Sequence, residues 1–292
     1  MSCGSKEKID PVSVTHDLSE LNHLAEQSLS DLQTDEYGWV HTDKCDAALF
    51  NGLIKASGYE LDLEKGIDGG KPYRTPYKDC YSNELKARKD KSFDHKRRSD
   101  STISQDMLVG YLWGFFATGE IDEIEKIRRY SKANTWVIGE GDFSRVAVKP
   151  NMQKTIYLLA DKTYGGLNSK WFGGEADTDK HVIALHIILR GIVEGFIDED
   201  ALEVIEDFEK SDNRSTLFKF IKNLYTDGNQ QDVIDLAIEQ YYAYPKGSRC
   251  VRWLWERHSS KWDGCEFMEY ATNTEIAFIA KLFELTKDGG NL

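Results

Sequence analysis

The sequence predicts an all-α fold, an (α/α) toroid of two-layered helical hairpins, closed or partly closed on itself. Three observations predict it. Apolar residues recur every three or four positions over most of the chain. Five prolines in 292 residues leave room for long helices. Segments that are apolar on every side alternate with amphipathic ones, as an inner ring of helices inside an outer ring would require.

Residues 1–14 read as a flexible N-terminal segment and 15–292 as one domain. The first helical stretch carries Leu18, Leu21, Leu24, Ala25, Leu29 and Leu32 at helical spacing, and a turn at Tyr37-Gly38 follows it. A second helix at about 43–56 places Asp46 on a face with Leu49, Phe50 and Leu53. Residues 57–100 lose periodicity and read as a long irregular insertion, marked by Gly66, Gly69, Gly70, Pro72 and Pro76. Within it, 86–98 holds seven basic residues against two acidic ones, the pattern of a solvated loop.

Thr102 with Gln105 predicts a capping box, and behind it Asp106 is the only charge before Glu120. Ile103, Met107, Leu108, Tyr111, Leu112 and Phe115 fill one face of that helix, while Gly110, Gly114 and Ala117 keep the other slim. A second apolar helix covers about 180–196, where His186, Arg190 and Glu194 form a polar line at four-residue spacing, the pattern of an internal ion pair between helices. Short joints at Thr118-Gly119-Glu120, Ser211-Asp212-Asn213 and Asp227-Gly228-Asn229 separate the later helices.

A net charge of −13 argues against nucleic acid as a partner. The sequence has no run of eighteen apolar residues that would span a membrane. Gly69-Gly70-Lys71-Pro72 lacks the spacing of a phosphate loop, and CxxC, HExxH and G-x-S-x-G patterns are missing, so no cofactor and no metal is expected. Residues 1–8 hold no apolar stretch, so no signal peptide is expected there, yet Cys3-Gly4-Ser5-Lys6-Glu7 resembles the beginning of a mature bacterial lipoprotein with Cys3 as the anchor. A periplasmic or outer-membrane lipoprotein and a cytoplasmic protein are the two locations this leaves, with a monomer expected. Cys45–Cys80 and Cys250–Cys265 are the pairings that would join sequence neighbours on export.

Asp46, Asp106 and the group Asp177, Asp179 and His181 all stand at helix starts. In a toroid whose inner helices share a direction, they would converge on one mouth. Two carboxylates across a glycosidic bond supply a general acid and a base or nucleophile, so Asp106 and Asp46 are the first candidate pair, with Asp100, Asp179 and Glu140 in reserve. His181, flanked by Asp179, is the third catalytic candidate. Tyr81, Trp113 and Trp136 offer rings for stacking sugars, and Lys44 and Arg98 offer cations.

The segments Lys44-Cys45-Asp46-Ala47-Ala48-Leu49-Phe50, Ser104-Gln105-Asp106-Met107-Leu108-Val109-Gly110-Tyr111-Leu112-Trp113, Trp136-Val137-Ile138-Gly139-Glu140-Gly141 and 181–191 resemble a group of bacterial and phage helical toroids. The likeness spans roughly 40–195, with Gln105 where such proteins carry Arg. The toroid class is rich in glycoside hydrolases and polysaccharide lyases. The resemblance therefore implies a carbohydrate polymer or oligosaccharide as partner and a glycoside hydrolase as the first reading. The second is a uronate lyase, with Tyr81 or His181 abstracting the proton and Arg98 or Lys96 neutralising the carboxylate. The third is a non-catalytic envelope or phage-related interaction scaffold.

Overall fold

The computed structural model describes residues 16–30, 32, 34–40, 47–76, 101–141, 145–166, 180–243 and 274–287. The fold is all-α. Among the described residues there are ten α-helices and two small hairpins. In chain order they are α1 (Leu18–Ser30), α2 (Ala48–Ala56), α3 (Gln105–Ala117), α4 (Ile121–Ala133), α5 (Pro150–Leu159), α6 (Lys180–Glu194), α7 (Glu199–Ser211), α8 (Thr216–Tyr225), α9 (Gln231–Ala243) and α10 (Glu275–Thr286). Strands β1 (Ile67–Asp68) and β2 (Lys71–Pro72) pair antiparallel, as do β3 (Val137–Glu140) and β4 (Arg145–Ala147). None of the described helices is long and apolar enough to cross a membrane.

Burial separates the helices into two kinds. All nine residues of α2 are buried, as are Met107–Phe115 of α3 and Glu275–Ala280 of α10. Helix α6 buries most of its length and α8 half of it, whereas α1, α4 and α7 bury one stripe and show water the other face. The buried helices touch in succession: α2 on α3, α3 on α6, α6 on α8, α8 on α10, and α10 on α2. Contacts climb in register in three of these pairs, α2 with α3, α6 with α8 and α8 with α10, so those three run parallel. Leu49 meets Met107 while Lys55 meets Glu120; His181 stacks on Phe218 while Gly191 faces Tyr225; Thr216 bonds Glu275 while Phe220 meets Phe283. At the level of Trp113 the middle is filled. Its ring stands edge-on to Phe278 at 4.9 Å, and its indole N–H donates to the Leu185 carbonyl at 3.0 Å.

Several sequence expectations meet differences here. Strict alternation of buried and amphipathic helices is interrupted where α4 is followed by α5, which also shows polar residues to water. Helix α2 begins at Ala48, after an Ala47 N-cap without a side-chain bond, rather than near 43. Residues 57–76 are irregular as expected, yet they are packed into the core. Leu63 is fully buried in a 3-10 turn, Leu63–Gly66, and the Tyr111 hydroxyl donates to Gly66 and Tyr73 carbonyls at 3.0 and 2.7 Å. The capping box at Thr102 does not form. Helix α3 starts at Gln105, whose amide donates to the Ala147 carbonyl at 3.0 Å instead of reaching back, and the Ser104 N-cap makes no side-chain bond. The polar line on α6 does close as an ion pair between helices: Glu194 accepts from Arg190 and from Lys154 of α5, each at 2.6 Å.

Candidate functional site

Ten residues carry the functional expectation, and the structure describes five of them. Asp46, Lys44, Tyr81, Arg98 and Asp179 lie outside the described residues, as do Asp100, Asp177, Lys96 and all five cysteines. Asp106 stands half-buried in the first turn of α3. The β3–β4 hairpin folds against that helix end, through Gln105 and through the Thr102 amide, which donates to the Glu140 carbonyl at 3.3 Å. Trp136 and Glu140 belong to the same hairpin, so Asp106, Trp136 and Glu140 share one region. Glu140 is exposed and 3.6 Å from Arg145. Trp136 is half-buried in a left-handed turn with Thr135, at φ 64° and 53°, and its ring lies 5.9 Å from Tyr157. Trp113 and His181 are placed elsewhere. Trp113 is wholly buried and offers no face to a ligand. His181 is 9% exposed and lies flat on Phe218 at 4.5 Å.

Two carboxylates of displaced acidity, Glu64 and Glu120, meet at the opposite end of α3, about 20 Å along the helix at ~1.5 Å per residue. An open cleft of about 600 Å³ is bounded there by the ends of α2 and α3 and the loop between α2 and the 3-10 turn. Lys55, Tyr59, Glu60, Asp62, Glu64 and Glu120 line it. Each is delivered by local structure. Lys55 ends the buried helix α2. Gly58, at φ 97°, turns the chain so that 59–64 cross back over it. The Trp39 indole N–H donates to the Asp62 carbonyl at 2.6 Å and fixes that crossing. Thr118-Gly119-Glu120 ends α3, with Gly119 at φ 73° swinging Glu120 toward α2.

Glu120 and Glu64 are driven apart in acidity. Partial burial works to raise Glu120, but it is outweighed by the Lys55 ammonium at 2.6 Å and the Thr118 hydroxyl at 2.7 Å, so its carboxyl is held below the ordinary range. Burial pushes the Glu64 carboxyl up. Asp62 and Glu120, both within its hydrogen-bonding reach, push the same way. Both donors to Glu120 use Oε1. Its Oε2 is buried without a donor among the described residues, and Glu64 lies within hydrogen-bonding reach of Glu120, close enough for the two carboxyls to share one proton. Among the described residues no three carboxylates, imidazoles or thiols are spaced to hold a metal ion.

No protein-family model, curated protein or solved structure matches this chain significantly.

Sequence reasoning passed over Lys55, Glu64 and Glu120. One signal was present. Lys55 is the single charge on Ala48–Ala56, a helix otherwise built for burial, and a buried ammonium needs a carboxylate partner. Nothing local in the sequence points to Glu120 as that partner, because the two meet only through the crossing of α2 and α3.

Proposed function

We propose that this chain is a glycan-active enzyme, a glycoside hydrolase in which Glu64 is the general acid and Glu120 the general base or nucleophile. One observation carries the reading: two carboxyl groups in one open cleft whose surroundings push their proton affinities in opposite directions. That division of labour is what carboxylate glycosidases need, a protonated group for the leaving oxygen and an ionised one for the sugar or water. Retaining enzymes hold their carboxyl groups ~5–5.5 Å apart. A bound sugar would therefore have to part Glu64 from Glu120, and Glu64, exposed on the rim, is the group with room to move. The circuit of buried helices in contact from α2 round to α10 and back to α2 supports a toroid as the scaffold.

A uronate lyase is the less favoured reading for this cleft. Glu60, Asp62, Glu64 and Glu120 face a single lysine there, and a polymer of carboxylates would meet like charge. An interaction scaffold would keep the cleft and release no product.

The experiment is reducing-end release from bacterial, algal and plant polysaccharides, with ultraviolet absorbance of unsaturated ends followed in parallel. The parent protein is expected to release reducing ends without that absorbance. Glu64→Gln and Glu120→Gln, each melting as a folded protein, are expected to lose about 10²- to 10⁴-fold in rate. Unsaturated products would replace this reading with the lyase. Full turnover in both folded variants would remove the cleft as the active site.

A further inference from the structure

Lys55 is the one charged side chain on a helix whose nine residues are all buried. Its side chain is 10% exposed, and an ammonium taken that far from water persists only when paired. The Nζ lies 2.6 Å from Glu120 Oε1, 3.3 Å from the Leu61 carbonyl and 5.7 Å above the Phe115 ring. A carboxylate, a carbonyl and an aromatic face thus hold the ammonium in place. Thr118 donates to the same Oε1, so both donors to Glu120 converge on one of its oxygens, while Oε2 is buried without a donor and Glu64 lies within hydrogen-bonding reach of the group.

We propose that Lys55 is a positioning residue that decides which member of the carboxyl pair carries the shared proton. Seated on Glu120, its ammonium keeps that group ionised and leaves the proton on Glu64. Without it, one proton passes from Glu64 to Glu120 Oε2, and no other atom changes place. Asp62 also lies within hydrogen-bonding reach of Glu64 and raises its proton affinity whichever residue stands at 55. The other charges around the pair act through water. On the loop and 3-10 turn, Glu60 is exposed, as is Lys65, which bridges to Asp62 at 3.5 Å. On α4, Lys126 lies within range of Glu64 but is exposed and bonded to Glu123, and Asp122 is exposed. Solvent and salt screen such charges, whereas the Lys55–Glu120 contact is sheltered.

The inference rests on Glu64 and Glu120 acting as an acid–base pair, and its test needs no substrate. In protein with isotope-labelled glutamate carboxyls, NMR titration is expected to show Glu64 taking up its proton before Glu120 as pH falls. In Lys55→Gln the order reverses, and in Lys55→Arg, which restores the charge, the parent order returns. A folded Lys55→Gln in which Glu64 still protonates first overturns the proposal. If Lys55→Gln does not fold, Glu120→Gln takes its place. Removing the ionised neighbour is expected to bring the Glu64 midpoint down, and an unmoved midpoint overturns the proposal equally. Failure of the hydrolase reading looks different: no polysaccharide is cleaved while the titration order holds.

Discussion

A side chain on Gly52 would place its Cβ 1.9 Å from the carbonyl oxygen of Gly110, so α2 and α3 cross with their backbones in contact. The reverse approach is as tight, since a Cβ on Gly110 would lie 2.4 Å from the Ala48 carbonyl. This crossing brings Lys55 to Glu120 three residues beyond Gly52. Gly110→Ala must separate two backbones that have nothing flexible to yield. It is expected to cost about 3 kcal/mol, at the upper end for overpacking. Thermal melts are the check; an unchanged midpoint would mean that the helices are not in backbone contact.

Buried His186 gives the molecule an acid-labile point. Burial, with help from the Arg190 charge, lowers its imidazole from an ordinary 6.5 to about 3, and its Nε2 lies 2.8 Å from the Thr155 hydroxyl. Above the ordinary value neither the folded nor the unfolded chain holds the proton, and the group contributes nothing. As pH falls toward the folded value the unfolded chain takes the proton first, so stability declines through that window. The slope is at most about 1.4 kcal/mol per pH unit. Glu125, held at about 2 by its Arg128 and Arg129 partners against an ordinary 4.5, adds its own loss only at lower pH. Between the ordinary values of His186 and Glu125, the raised Glu64 carboxyl works in the opposite direction, so the histidine is read from the difference between denaturant melts of the parent and of His186→Gln, which is expected to remove the decline it causes.

Trp113 is expected to behave as a keystone of packing. Trp113→Phe removes the donor to Leu185 and part of the surface against Phe278, and Trp113→Ala should cost about 3–5 kcal/mol. A melt of Trp113→Ala within a degree of the parent would place this ring at a surface instead.

The two ends of α3 make a direct comparison. With the chemistry in the cleft, Asp106→Asn is expected to turn over a confirmed polysaccharide within a few-fold of the parent, while Glu120→Gln loses about 10²–10⁴. A loss of that size in a folded Asp106→Asn would move the active site to the β3–β4 end of the helix.

Burial was legible in the sequence wherever one helix announced it alone. Met107–Phe115 and the His186–Arg190–Glu194 line are local patterns, and so is the slim face made by Gly110 and Gly114. The short β3–β4 hairpin escaped because four and three residues give no lasting alternation. The carboxyl pair escaped for a different reason. Glu64 follows a loop whose course is fixed by Trp39 from far upstream, and Glu120 is an ordinary joint residue until Lys55 is brought beneath it. Helix starts could be read from spacing, whereas the cleft is a product of tertiary crossing.

Helix α1 packs on α10 and on α9, its partners at the far side of the sequence. During synthesis on a ribosome its apolar stripe of Leu21, Leu24 and Ala25 therefore lacks the cover that α9 and α10 give it until those late helices have emerged. Closure of this contact is a long-range event that should come late and slowly in refolding. The same adjacency makes the molecule a natural subject for circular permutation, with α1 relinked behind α10 and new ends opened between β3 and β4.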